Sequence, residues 1–186
     1  MKRILSLFLV LIVFLSGCAK SDDSLDRAMA LRSKMLSKGA SFDTKIVADY
    51  GDRQHTFAMA CSFDQQGNLS FTVTEPKSIA GITGKVSGSG GKLTYEDHIL
   101  SFGLMADGLV SPVSGPWVLM KTLRSGYLTS CTKEGEFLRV SIDDSYEADA
   151  LHLDVWLGAE DLPVNAEVFW QGRRLLSIAV TNFKLL

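Results

Sequence analysis

Cys18 is the residue of this chain with the most definite chemistry. It follows a positively charged head, an apolar run over residues 4–15 and the small residues Ser16 and Gly17. This order is typical of a secretory signal peptide, which ends an apolar region of about 7–15 residues with a small-residue cleavage site. A transmembrane anchor is the alternative, but the run is shorter than the roughly 20 apolar residues that span a bilayer. We therefore predict that residues 1–17 are a cleaved signal peptide.

The segment Leu15-Ser16-Gly17-Cys18 also resembles the lipobox of bacterial lipoproteins. In that family the cysteine receives a diacylglyceryl group on its sulfur atom and becomes the first residue after cleavage. Two acyl chains hold a protein on a membrane durably, whereas one myristoyl chain holds it only marginally. The resemblance implies a lipidated tether over residues 18–23 and an exported domain over residues 24–186. It places the domain on the outer face of the cell membrane, or at the outer membrane if the cell has one.

Two further cysteines, Cys61 and Cys131, fall in the middle of predicted strands. Disulfides persist in exported proteins, and one that closes a loop of this length would add about 4 kcal/mol of stability. A pair of buried thiols is the alternative. The sequence leaves both open.

The remaining reactive residues do not form a catalytic or metal-binding pattern. His55, His98 and His152 are far apart and lack the spacing of a zinc site, and no Gly-x-Ser-x-Gly segment is present. The glycine-rich stretch around Lys85 lacks the spacing of a phosphate loop, and the acidic residues 143–149 lack that of a calcium loop. We expect no enzymatic activity, no metal and no cofactor.

The charge of the chain excludes one class of partner. The formal net charge of the 186 residues is −2, and it falls to −4 when Lys2 and Arg3 leave with the signal peptide. No block of like charges suggests a nucleic-acid or lipid-headgroup patch. We expect no nucleic-acid partner.

One helix is predicted directly after the tether, over residues 24–38. Acidic residues lie near its start, and Lys38-Gly39 ends it. Its apolar side has the spacing of three and four residues typical of a helix, with Arg32 among these positions. These positions are Leu25, Ala28, Met29, Arg32, Met35 and Leu36.

After Gly39 the apolar pattern changes to the alternation of strands. Residues 57–63 and 69–73 form the clearest β-hairpin, joined by a polar turn at residues 65–68. Further strands are predicted over residues 42–50, 79–87, 92–102, 126–133, 137–143, 151–157, 164–170 and 173–183.

A second, short helix interrupts the strands. Pro116 suits its first turn and Gly126 its end. Trp117, Met120 and Leu123 recur at a spacing of three and make it unusually apolar. Such a helix is either a plug that covers the core or a mobile lid over a cavity, and the plug is favoured.

About ten antiparallel strands make a sheet that is too long to stay flat. We therefore predict an α+β, β-rich fold in which a curled antiparallel sheet forms an unclosed β-barrel. An amino-terminal helix and an inserted short helix are available to cover its open side.

These elements resemble the LolA/LolB/LppX group of extracytoplasmic lipid and lipoprotein carriers. The resemblance rests on the amino-terminal helix, the strand meander, the Glu75-Pro76 break before residues 79–82, and residues 162–172 with a last strand that ends at Phe183. It implies an unclosed β-barrel wrapped around helices, with an apolar cavity that holds acyl chains. No ligand-contacting residue of the group is matched to a position in this sequence, and no inward arginine between these strands stands out as a site for a headgroup.

The residues themselves indicate where such a cavity would lie. Methionine and aromatic side chains accommodate irregular apolar ligands such as lipid tails. A solidly packed core is the alternative for each of these residues. The candidate cavity residues are Phe57, Met59, Phe63, Leu69, Phe71, Val73, Trp117 and Met120.

Two functions follow from these expectations. The first is a membrane-anchored lipoprotein that binds a lipid or acyl chain and so carries, presents or senses it. The second is a non-enzymatic module with a packed interior that binds a protein of the cell envelope through its outer surface. Outward positions for Trp156 and Trp170 would favour the second.

Overall fold

The computed structural model describes residues 23–96, 98–106 and 109–186. The predicted signal peptide, Cys18 and most of the tether lie outside the described residues. Among the described residues, no helix is both long enough and apolar enough to cross a membrane.

The described residues form two α-helices and thirteen strands, with short 3₁₀ turns at Lys77–Ile79, Pro112–Ser114 and Ala159–Asp161. The helices are α1 (Ser24–Ser37) and α2 (Gly115–Ser125). The strands are β1 (Ala40–Asp49), β2 (Gln54–Phe63), β3 (Leu69–Glu75), β4 (Thr83–Ser87), β5 (Gly90–Tyr95), β6 (His98–Phe102), β7 (Met105–Ala106), β8 (Leu109–Val110), β9 (Tyr127–Glu134), β10 (Phe137–Asp143), β11 (Leu151–Leu157), β12 (Pro163–Trp170) and β13 (Arg173–Leu185).

Eleven of these strands form one antiparallel, unclosed sheet. Its order is β6-β5-β4-β3-β2-β1-β13-β12-β11-β10-β9, so every neighbour except the β1–β13 pair is also a neighbour in sequence. The long last strand β13 pairs with β1 and joins the two meanders. The remaining two, β7 and β8, form a small separate hairpin. The predicted fold class, a curled β-rich sheet with an amino-terminal and an inserted helix, is confirmed.

The alternation of side chains gives the sheet an apolar inner face. In β1, for example, Phe42, Ile46 and Ala48 are buried, whereas Lys45 between them is exposed. Helix α2 lies on this inner face, and nearly all of its residues are buried. The packing of α2 agrees with the plug that the sequence favoured.

Helix α1 buries a narrower face than its apolar spacing suggests. Ala28, Leu31 and Met35 enter the core, whereas Leu25, Met29 and Leu36 stay exposed. A spacing of three and four fits two stripes about 100° apart on a helix, and α1 packs through only one of them. The helix predicted from this spacing is present, and only one of its two apolar stripes is buried.

The segment before β4 also differs from the predicted strand over residues 79–87. It forms a 3₁₀ turn at Lys77–Ile79, and the strand begins only at Thr83. The backbone between them stays close to β3, because Val73 N donates to Ile82 O at 2.8 Å and Gly81 N donates to Val73 O at 2.9 Å. Gly81 has a φ of +90°, which favours glycine at this turn.

Candidate functional site

The structure brings most of the predicted cavity residues together on the inner face of β2 and β3. Seven of them belong to the hydrophobic core, five on these two strands and two on α2. Trp117 anchors α2 to the β2–β3 turn, because its Nε1 donates to the carbonyl oxygen of Gly67 at 2.8 Å. These seven residues are Met59, Phe63, Leu69, Phe71, Val73, Trp117 and Met120.

These side chains are closely packed. Met59 and Met120 are at most 1% exposed, and Leu69 is fully buried. Phe57 differs from the others, because it is half-buried at the open end of β2, with its ring 6.3 Å from that of His55. The seven residues therefore form a floor, and Phe57 lies at its rim.

Strands β4, β5 and β6 form one end of the sheet, which we call the wing. Its inner face carries Leu93 and Tyr95 from β5, which pair with Leu100 and His98 of β6. Leu100 is 64% exposed and Tyr95 is 49% exposed. The exposure of these two large side chains shows that the inner face of the wing is open to solvent.

Strands β10, β11 and β12 show the opposite behaviour, and we call them the packed strands. Most of their inner side chains are buried against one another and against α2. Those that are fully buried include Val140, Leu153, Val155 and Val168. The sheet is thus filled at this end and open at the wing.

Two glycines in the strands of the wing leave room for aromatic rings on its inner face. A Cβ atom at Gly84 would lie 2.4 Å from Cζ of Phe71, and one at Gly91 would lie 2.1 Å from Cζ of Phe102. Both rings therefore lie directly over the backbone of a neighbouring strand. The sequence showed these glycines within a strand pattern, but only the cross-strand register shows what they accommodate.

A hydrogen bond from Tyr50 links the β1–β2 turn to β8. The hydroxyl of Tyr50 donates to the carbonyl oxygen of Val110 at 3.0 Å, and its ring lies 6.4 Å from that of His55. Burial raises the pKa of Tyr50 above its ordinary value. The β1–β2 turn is thereby tied to the connection that leads from the wing into α2.

The outer face of the wing is polar. Lys85 and Lys92 lie directly opposite each other on β4 and β5, and neither forms an ion pair with a residue that the structure describes. They border an outer cavity of about 520 Å³ that also contains Thr83, Thr94 and Ile99. Ile99 is 70% exposed there. Neighbouring like charges of this kind are typical of a solvated face.

The outer face of the packed strands carries a network of charges that sequence reasoning missed. Asp154 is buried and accepts hydrogen bonds from Ser141 Oγ at 2.6 Å and Arg139 Nη2 at 2.9 Å. Burial on its own would raise the pKa of Asp154. The hydrogen bonds from Ser141 and Arg139 lower it by more than burial raises it, so the pKa lies below its ordinary value. His152 lies beside this carboxylate and also contacts Asp143, with 2.7 Å between Nδ1 and Oδ1.

This arrangement does not activate a nucleophile. The Ser141 hydroxyl donates to a carboxylate, and His152 Nε2 lies 3.5 Å from the same carboxylate oxygen of Asp154. A nucleophilic serine would instead donate to the histidine. Among the described residues, no group of three or more histidine, cysteine or acidic side chains is arranged to hold a metal ion.

The two tryptophans that were to distinguish the functions differ in position. Trp156 lies on the outer face, where its Nε1 donates to Glu134 Oε2 at 2.9 Å and Arg139 stacks over its ring. Trp170 instead pairs with the buried Leu151 and packs against the core. Only one of the two therefore has the outward position.

The two remaining cysteines lie in different environments. Cys61 is buried on the inner face of β2, and Cys131 is half-buried on β9. Their sulfur atoms are not bonded to each other in this structure. Burial raises the pKa of Cys61 to about 12.

Comparison with known proteins finds similarity only at the level of structure. No protein-family model matches the chain, and no curated protein matches its sequence. A LolA superfamily protein from Nitrosomonas europaea is 9% identical, with a TM-score of 0.48 over 86% of this chain and 93% of that one. A putative outer membrane lipoprotein-sorting domain from Vibrio parahaemolyticus is 8% identical, with a TM-score of 0.45 over 88% and 92%.

The lipoprotein LppX from Mycobacterium tuberculosis is also similar, at 12% identity and a TM-score of 0.41 over 88% of this chain and 96% of that one. LolA and LppX are names from the group that the sequence resembles. Because all three TM-scores are below 0.5, the functional proposals rest on the residues of this chain.

Proposed function

We propose that this protein is a membrane-anchored lipoprotein that binds an acyl chain of a lipid or lipoprotein against the inner face of the wing. The observation that carries this proposal is the exposure of Tyr95 and Leu100 beside a closely packed apolar floor. Burying a leucine-sized side chain gains roughly 1.5–3 kcal/mol, so an acyl chain that covers this face would be held by the hydrophobic effect.

The anchor is the second part of the proposal. Lipidation of Cys18 would leave only residues 19–23 between the lipid and α1, a span of at most about 18 Å when extended. The domain would then work close to the outer face of its membrane. That position favours the extraction, presentation or sensing of a lipid at the membrane over carriage across the envelope.

A matched pair of variants tests the acyl site. Leu100 and Ile99 are neighbours in β6, both are largely exposed, and they point to opposite faces of the sheet. Saturable uptake of a fluorescent fatty acid is expected to be lost in Leu100→Glu and kept in Ile99→Glu. Native mass spectrometry of residues 19–186, purified without detergent, is expected to show a co-purifying lipid in the wild type. The proposal fails if no lipid and no uptake are found, or if both variants bind equally.

A second candidate function is binding of an envelope protein through the outer face of the packed strands. Phe137 is 44% exposed and borders a cavity of about 510 Å³ with Trp156 and Val164. A photo-crosslinking residue at position 137 would test this in intact cells. A specific crosslinked protein that disappears in Trp156→Ala would favour it, and lipid uptake should be unchanged in that variant.

A further inference from the structure

The outer face of the wing and of the adjoining strand β3 carries two rows of side chains that run across the strands. The register of β3, β4, β5 and β6 places neighbouring members of each row directly opposite each other. The first row is Ser70, Lys85, Lys92 and Ser101, and the second row is Thr72, Thr83, Thr94 and Ile99. We call them the donor rows, because all of these residues except Ile99 carry a hydroxyl or an ammonium group.

The donor rows contain no carboxylate. Asp43 extends the second row only on β1, beyond strand β2. Asp64 lies in the β2–β3 turn, where its two carboxylate oxygens accept hydrogen bonds from Asn68 at 2.8 Å and 3.0 Å. A solvated face accounts for the exposure of Lys85 and Lys92, whereas two rows of donors without a carboxylate favour an anionic ligand.

Lys85 and Lys92 repel each other in the middle of the first row. Facing side chains on neighbouring antiparallel strands have Cβ atoms about 4.5–5.5 Å apart, and like charges at such positions destabilise a sheet. Neither lysine forms an ion pair within residues 23–96, 98–106 and 109–186. An anion between the two ammonium groups would add two attractions that offset this repulsion. The two lysines are far enough apart in the sequence that no run of like charges indicates the pair.

A cavity of about 520 Å³ lies over the donor rows. Both lysines and hydroxyl groups of both rows line it, and Ile99 borders it with 70% of its surface exposed. Phosphate oxygens accept strong, charge-assisted hydrogen bonds, and lysine is a common phosphate ligand that acts as a point charge. The exposed Ile99 in the same cavity favours a ligand whose phosphate is joined to an apolar part.

We propose that the donor rows bind the phosphate group of an anionic phospholipid. Lys85 and Lys92 lie on either side of the phosphate, hydroxyl groups of the rows donate to its remaining oxygens, and Ile99 contacts the first methylenes of the acyl chains. The outer face of the wing is thereby held against the headgroups of a membrane. This site lies on the opposite face of the wing from the proposed acyl site and uses none of its residues, so it goes beyond the function proposed above.

Acetylation of individual lysines gives a local readout for this site. The full chain is held in dodecyl maltoside, a detergent without phosphate, and peptide mass spectrometry follows the reaction of each lysine with a water-soluble acetylating ester. Lys45 is the internal reference, because it is exposed on the outer face of β1 and lies outside the donor rows. The probes are dihexanoylphosphatidate, dihexanoylglycerol, which lacks the phosphate, glycerol 3-phosphate, which lacks the chains, and inorganic phosphate.

We expect dihexanoylphosphatidate to slow the acetylation of Lys85 and Lys92 about fivefold relative to Lys45, a factor that corresponds to the attraction of one lysine to an anionic lipid surface. Dihexanoylglycerol should have no such effect, and the two phosphates without chains a much weaker one. Equal slowing at Lys45, slowing by dihexanoylglycerol, or equal slowing by inorganic phosphate at the same concentration would overturn the proposal.

Variants separate the pair of lysines from the general charge of this face. Lys85→Gln should abolish the slowing at Lys92, because one phosphate lies between both lysines, and Lys85→Arg should retain most of it. Lys45→Gln removes the same charge from the same face and should leave the slowing unchanged; all of these positions are exposed. Undiminished slowing at Lys92 in Lys85→Gln would contradict the site. Fatty-acid uptake at the inner face should be unchanged in Lys85→Gln, so a failure of uptake and a failure of lysine protection are separate results.

Discussion

The packed strands and the wing are two parts of one sheet that bury their apolar side chains to different extents. Leu153 in the packed strands is fully buried, whereas Leu100 in the wing is 64% exposed, although both lie on the inner face. Helix α2 covers the first region and leaves the second open. Side chains that gain little from folding remain available to a ligand, and binding regions are commonly the less stable parts of a protein.

The outer faces of the same two regions differ in a complementary way. On the packed strands, Arg139, Asp154 and Ser141 satisfy one another. On the wing, Lys85 and Lys92 lie side by side without an ion pair to a described residue. The packed strands are thus stabilised on both faces, and the wing is weakly stabilised on both.

The largest expected effect is a difference in stability between two leucines. Leu153→Ala should lower the free energy of unfolding by about 3 kcal/mol, because it leaves a cavity in a closely packed core. Leu100→Ala should change it by no more than about 0.5 kcal/mol, because the side chain is mostly in water already. Urea denaturation measures both values. Similar costs for the two variants would contradict the contrast between the regions.

The second prediction concerns the glycines of the wing. Gly84→Ala should lower the free energy of unfolding by about 1–3 kcal/mol, because the new methyl group meets the ring of Phe71. Gly88→Ala is the matched control, because no atom of the described residues lies within 4 Å of a Cβ at that position. Thermal unfolding should separate the two variants clearly. If Gly84→Ala is as stable as Gly88→Ala, Phe71 does not lie over Gly84 in solution.

The third prediction uses the pH dependence of the packed strands. Because the pKa of Asp154 is lowered on folding, its carboxylate stabilises the protein above about pH 4, and this contribution is lost as the pH falls below that value. Asp154→Asn should reduce stability at neutral pH by about 1–3 kcal/mol and should flatten the loss in acid. Urea denaturation between pH 3 and pH 7 tests both effects. Asp52→Asn, at an exposed turn, should reproduce neither.

The fourth prediction concerns the reactivity of the cysteine thiols, where we expect the smallest effect on stability. Since the pKa of Cys61 is raised to about 12, its thiol should resist alkylation in the folded protein at neutral pH and react after unfolding. Mass spectrometry with and without a reductant follows each site. Two alkylated thiols in the denatured, non-reduced protein would exclude a bridge between Cys61 and Cys131. A mass that changes only after reduction would establish one.

Much of the fold could be predicted because its strands alternate so regularly. The hairpin over residues 57–73 and the plug formed by α2 follow directly from spacing and from the apolar character of Trp117 and Met120. The side of α1 that is buried could not be predicted, because Leu25 and Ala28 both fit a helical spacing. Which stripe is buried depends on the elements that it meets, and a sequence pattern does not contain that information.

The sequence predicted the buried residues of the candidate site, but not the exposed residues on the inner face of the wing. Met59, Leu69 and Phe71 were identified from alternation, yet Tyr95 and Leu100 were not, because exposure depends on where α2 ends its cover. Arg32 was read as one position on the apolar side of α1. Its Nε is buried without a hydrogen-bond partner among the described residues, which becomes visible only when α1 packs beside α2.

One measurement tests the central claim most directly: the map of contacts between the protein and a photo-reactive fatty acid whose terminal carbon carries a diazirine. After irradiation, peptide mass spectrometry identifies the labelled residues. The proposed function predicts labels on Tyr95, Leu100 and Phe102 at the inner face of the wing, which disappear in Leu100→Glu. Labels confined to Ile99 and Thr94 on the outer face, or to Phe137 and Trp156, would contradict it.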